Sequence, residues 1–91
     1  MPRYLIERTF PDGLSIPLDA AGSNACMSVV GNNASREVTW LHSYVTPDNG
    51  KTFCVYDGPN PEAIREVAEL NSLPIDNITE VRVLDPYFYQ P

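Results

Sequence analysis

Hydrophobic and polar positions alternate over residues 3–9, Arg-Tyr-Leu-Ile-Glu-Arg-Thr, which is the period of a strand with two unlike faces. Phe10-Pro11-Asp12-Gly13 then turns the chain, with proline and glycine where a tight turn uses them. Residues 18–32 place Leu18, Ala21, Ala25, Met27, Val29 and Val30 among small polar residues. This predicts a weak helix, in which Gly22 costs about 1 kcal/mol relative to alanine, and which Gly31-Asn32-Asn33 can end. The run from Glu37 to Val45 is rich in β-branched and aromatic residues and predicts a second strand. Thr46-Pro47-Asp48-Asn49-Gly50 turns, and Lys51 to Asp57 returns as the other arm of a hairpin. Asn60-Pro61-Glu62 opens a helix with a capping amide, a proline at the first helical position and an acid in the first turn. Ile64, Val67 and Ala68 form its apolar stripe, and Asn71 to Pro74 stops it. Ile78 to Leu84 reads as the last strand, followed over residues 85–91 by a tail containing Tyr87-Phe88-Tyr89.

The order strand, helix, strand, strand, helix, strand fits the split βαβ arrangement of an α+β, ferredoxin-like fold over residues 1–91 as a single domain. The right-handed crossover rule puts both helices on one face of a four-stranded antiparallel sheet in spatial order 4-1-3-2. Its other face is then uncovered, a surface for a second subunit or a ligand. Length sharpens this: a chain of 91 residues buries only about 60–65% of the surface that its unfolded form exposes. A partner subunit is therefore expected, with the aromatic tail packing across the open face or onto that partner.

Composition then removes several classes of function. Twelve acidic residues against six basic ones give a formal charge of -6 and a pI near 4.4, which disfavours nucleic acids and anionic membranes. No apolar run is long enough to span a membrane. Residues 1–20 show neither a basic start nor an apolar secretory core, so Cys26 and Cys54 are expected as free thiols of a cytoplasmic chain.

Side-chain alternation sorts the hairpin. With Val45 opposite Lys51, Leu41 pairs with Val55 and Ser43 with Phe53, which gathers the aliphatic residues on the helix-covered face. The open face then carries Trp40, His42 and Tyr44 beside Thr52, Cys54 and Tyr56, with His42 opposite Cys54. On the first strand Tyr4, Ile6 and Arg8 share one face, while Leu5 and Glu7 share the other, taken as the open one. Valines 81 and 83 suit the core, which sends Glu80 and Arg82 to the open side. A carboxylate, an imidazole, a thiol, an arginine and several phenols thus meet on one surface. Glu7, His42 and Cys54 have the chemistry of ligands for nickel, zinc or copper, and His42 with Glu7 could instead move protons. The plainer readings are Cys54 and Cys26 as small core residues and His42 as a hydrogen-bonded structural histidine. Glu7 needs a partner such as Arg82 or a bound cation. Trp40 and Tyr44 would wall a pocket or a dimer contact, and Glu62, Glu66 and Glu69 would form a solvated helix face.

The stretches Tyr4–Phe10, Val38–Val45, Lys51–Asp57, Pro61–Glu66 and Ile78–Phe88 resemble a family of small bacterial nickel-binding, or nickel-responsive, proteins once catalogued as a domain of unknown function. The resemblance spans nearly the whole chain, residues 13–36 being the variable part. It implies a ferredoxin-like fold, a homodimer and a nickel ion, and its positions with ligand chemistry are Glu7, His42 and Cys54. One histidine per chain is sparse for a tight nickel site, and a dimer would double the donors. Two functions follow. One is a small homodimeric metal-binding protein with its site around His42. The alternative is a cofactorless enzyme of the dimeric αβ-barrel type acting on a small molecule, with His42 as general acid or base. There Glu7 orients the imidazole, and Tyr44 or Tyr56 donates to a developing oxyanion.

Overall fold

A computed structural model of the chain describes residues 1–15 and 19–87. The elements are β1 (Arg3–Thr9), α1 (Ala20–Ala34), β2 (Thr39–Val45), β3 (Lys51–Asp57), α2 (Pro61–Leu70) and β4 (Asn77–Val81). They form one antiparallel sheet in the order β2-β3-β1-β4, and the βαββαβ sequence makes this the expected α+β, ferredoxin-like fold.

Local chemistry accounts for the helix boundaries. The Asp19 carboxylate accepts from the Ala21 and Gly22 amides, at 2.9 and 3.2 Å, and starts α1 at Ala20. The expected first residue, Leu18, lies outside the described residues. Gly31 does not end α1, which runs on to Ala34. The chain leaves it through Glu37 at φ 60, with the Arg36 and Val38 amides both donating to the Asn33 carbonyl. The α2 start is as expected: the Asn60 side chain accepts from the Ala63 amide at 2.8 Å, and Pro61 begins the helix. The two helices are tied at their C-terminal ends by Asn71, which accepts from Asn32 at 2.7 Å and donates to Asn33 at 3.0 Å.

The core lies between the sheet and α2. Tyr4, Ile6, Cys54 and Tyr56 of the central strands pack with Val38 and with Ala63, Ile64 and Val67. In α1, by contrast, Gly22 and Asn33 are the buried residues, and Met27 and Val30 are exposed. Weak amphipathicity thus carries through from sequence to packing: α2 is anchored by a stripe, while α1 rests loosely over its part of the sheet.

Two expectations at the C-terminal end are corrected. The last strand stops at Val81 instead of Leu84, where its pairing with Arg3 at the start of β1 ends. Of the two places expected for the tail, the first, this chain's own open face, does not hold Tyr87, which is 88% exposed in the single chain; Phe88 and Tyr89 lie outside the described residues.

Because Ile64 is wholly buried in the core cluster whereas Asn60 only caps α2, the two should differ in cost. Urea denaturation is expected to show Ile64→Ala losing about 2–5 kcal/mol and Asn60→Ala about 1 kcal/mol.

Candidate functional site

The open face is set by the pairing of β2 with β3. Val45 lies opposite Thr52, Ser43 opposite Cys54 and His42 opposite Val55, and a bulge then falls between Trp40 and His42. The pairing expected from aliphatic grouping, Val45 with Lys51 and His42 with Cys54, is therefore corrected by one residue. Leu41 is the extra residue, and such bulges concentrate on edge strands, which β2 is. The bulge breaks the alternation, so Trp40 and His42 point to opposite faces although they are two residues apart.

His42 and Tyr44 stay on the open face, their rings edge-on at 5.2 Å between centroids. Glu7 and Leu5 of β1 are there too, as expected, joined by Phe53, Val55 and Lys51 of β3 through the β1–β3 register. Trp40, Thr52, Cys54 and Tyr56 lie instead on the helix-covered face. Cys54 is buried with its thiol 3.6 Å from the Thr52 hydroxyl, which agrees with its plainer reading and removes it from the neighbourhood of His42. On β4, Ile78 pairs with Ile6 and Glu80 with Tyr4, so Glu80 takes the covered side and not the open one. Arg82 lies beyond the end of β4 and is exposed.

Glu7 finds partners that the sequence reading did not name. Its carboxylate accepts from Asn77 at 3.3 Å and lies 4.0 Å from the Lys51 ammonium, which also sits 5.9 Å from the Phe53 ring centre. Lys51 therefore replaces Arg82 as the countercharge. Glu7 sits opposite Phe53, and Phe53 opposite Tyr44. Two strand spacings keep Glu7 about 10 Å from β2, so it does not reach His42 within one chain. Among the described residues no three His, Cys, Asp or Glu side chains come together as a metal-holding group. At the far end of the same face Arg3 donates to Asp57 at 2.8 Å, and this hydrogen bond holds the Asp57 carboxyl below the usual carboxylate range.

The covered side carries the cavity. Trp40, Ser43, Cys54 and Tyr56 line a space of about 250 Å³ beneath α1, together with Arg8, Cys26 and Val29. His42 is exposed and is not among its lining residues, so among the described residues this cavity does not adjoin the imidazole. Arg8 was legible as a member of the core face, since it shares the parity of Tyr4 and Ile6, but its burial was not anticipated.

The sequence profile of the family described as nickel responsive protein SCO4226-like matches residues 4–81. No curated protein matches the chain. A crystal structure of SCO4226 from Streptomyces coelicolor A3(2) is similar to it, with a TM-score of 0.73 and 19% identity, over 91% of this chain and 99% of that one. At that identity the likeness speaks to the fold, and it agrees with the ferredoxin-like topology.

The Arg3–Asp57 pair has a signed consequence. Because the folded carboxyl titrates below its unfolded value of about 3.9, the pair adds stability at higher pH and loses it as pH falls through the folded value. Asp57→Asn should therefore lower the urea midpoint at pH 6, with the gap to wild type closing as the pH is taken down below about 4.

Proposed function

Given that this chain belongs to the family of nickel-responsive SCO4226-like proteins, we propose that it is a homodimeric nickel-binding protein whose site is built around His42. The observation that carries the reading is His42 itself: the chain's single imidazole, exposed on the sheet face that neither helix covers. Imidazole is a good nickel donor. The donors of one chain do not by themselves fit a chelated metal, since no three of them meet among the described residues. Two chains joined through their open faces bring two imidazoles to one interface, and Glu7 is the carboxylate on that face. Cys54 has no part in the site, being buried on the other side of the sheet.

The same face supports the dimer on physical grounds. Leu5, Phe53 and Val55 lie together across the central strands β1 and β3, half-buried, and neither helix lies over them among the described residues. Tyr44 stands beside them with 63% of its surface exposed. An apolar centre flanked by the charged Lys51 and Glu7 has the composition of a subunit contact, apolar in the middle and polar at the rim. The catalytic reading lacks comparable support, because the cavity lies on the other face of the sheet from the imidazole.

Calorimetric titration of nickel into wild type and His42→Ala tests the site. Changing a residue that merely supports a metal ligand costs about 10–100-fold in affinity, so loss of the ligand itself should cost about 100-fold or more; equal binding in the two proteins would overturn the assignment. Val55→Lys puts like charges at the middle of the contact without touching the core. It should yield monomers by light scattering and weaken nickel binding in parallel, whereas a nickel-binding monomer would refute the shared site.

A further inference from the structure

Helix α1 crosses its part of the sheet without filling the space beneath it. Of its 15 residues, Gly22 and Asn33 are buried. The side chains that it gives to the wall of the cavity, Ala25, Cys26 and Val29, are all short. The strands and the turn after β1 supply the large ones, the rings of Trp40, Tyr56 and Phe10. The gap left between short and large side chains is about 250 Å³. Protein interiors close-pack to leave few voids larger than a water molecule, because an unfilled void forfeits both transfer energy and dispersion contacts.

The polar groups around the cavity are engaged with one another. Arg8 donates to the Pro74 carbonyl at 2.8 Å and to the Tyr56 hydroxyl at 3.2 Å. The Trp40 indole N–H donates to the Ser43 hydroxyl at 2.9 Å, and the Cys54 thiol is 3.6 Å from the Thr52 hydroxyl. The surface turned to the space is therefore almost wholly apolar. A water molecule needs about two to four polar partners and is poorly held there, and an ion would be desolvated without any. An engineered apolar cavity of about 150 Å³ takes benzene, so this larger one has room for about ten non-hydrogen atoms. Three rings on the wall favour a further ring, through offset or edge-to-face contacts.

We propose that this cavity is a binding site for an uncharged aromatic molecule of about eight to ten non-hydrogen atoms, seated under Ala25, Cys26 and Val29 of α1 and against Trp40. The ligand supplies the packing that the helix lacks. The site is separate from the one around His42, since the two occupy opposite faces of the sheet.

The test compares ethylbenzene with two molecules of nearly the same shape, benzyl alcohol and benzylammonium. Trp40, the chain's single tryptophan, reports from the cavity wall by its fluorescence, and the urea midpoint reports binding to the folded chain. Ethylbenzene is expected to give a saturable change at one molecule per chain and to raise the midpoint. Benzyl alcohol should bind about tenfold more weakly, its hydroxyl finding no partner, and benzylammonium about 100-fold more weakly, although an acidic chain would otherwise attract it. After each affinity is corrected for partition from water into octanol, ethylbenzene should exceed ethylcyclohexane about 2- to 10-fold. Val29→Trp fills the cavity from the helix and should weaken ethylbenzene about tenfold or more; Cys26→Phe fills it from the neighbouring position and serves if the first variant does not fold. His42→Ala, titrated without nickel, should bind ethylbenzene like wild type, which keeps this result apart from the fate of the nickel site. A change with ethylbenzene that does not saturate, equal affinity for benzylammonium, no excess over ethylcyclohexane after correction, or unaltered binding in a folded cavity-filling variant would each overturn the proposal.

Discussion

One extra residue in an edge strand decides what each face of this sheet can do. Without the bulge at Leu41, Trp40 and His42 would share a side, and either the indole would lie in the open or the imidazole would be drawn under α1. With it, Trp40 lines the covered cavity, its indole N–H donating to Ser43 at 2.9 Å, while His42 and Tyr44 face outward from the same strand. A bulge of this kind is tolerated because β2 is hydrogen-bonded on one side only, where the mismatch leaves little pairing to disturb. The imidazole and the cavity are therefore separated by strand geometry, and a change in the register of β2 would alter both.

The distribution of polarity across the sheet runs against simple expectation. The helix-covered side holds Arg8, Thr52, Cys54 and Tyr56, while Leu5, Phe53 and Val55 are on the uncovered side. A covered face with hydroxyls and a guanidinium is costly unless those groups are satisfied, and part of that cost is met inside the chain by the Arg8–Tyr56 and Cys54–Thr52 contacts. An uncovered face with aliphatic and aromatic side chains is costly in the other sense, as apolar area left in water. Both departures belong to the central strands, where a purely structural sheet would be most regular.

The element order and topology were legible in the sequence because they rest on strong local signals: the alternation of β1, the turn at Thr46–Gly50 and the Asn60-Pro61 helix start. The orientation of β1 was legible too, and it placed Glu7 on the open face. What escaped was the register of the hairpin. Grouping Val45, Leu41, Phe53 and Val55 as core assumes that aliphatic side chains go inside, whereas the interior here uses Tyr56, Cys54 and Thr52. A slip of one residue inverts a strand, and it moved Cys54 away from the imidazole. The bulge hid Trp40 in the same way, since no residue type at position 41 announces an insertion. On β4 the pairing of Ile78 with Ile6 governs the faces, not the valines that follow.

A single histidine also constrains how two copies could share a metal. Stacking two open sheets by a two-fold operation leaves two broad choices of axis. An axis parallel to the strands lays β2 of one copy over β4 of the other, and each His42 then looks across at the region of Asn77 and Thr79, which offers an amide and a hydroxyl in place of a second imidazole. An axis running across the strands lays β2 over β2 and lets the two His42 side chains approach if it passes at their level. Only the second arrangement gathers both imidazoles at one point. The nickel reading thus carries a demand on quaternary structure. It requires the apolar centre formed by Leu5, Phe53 and Val55 to be covered by the same strands of the partner, with the bulged edge of each chain against the bulged edge of the other.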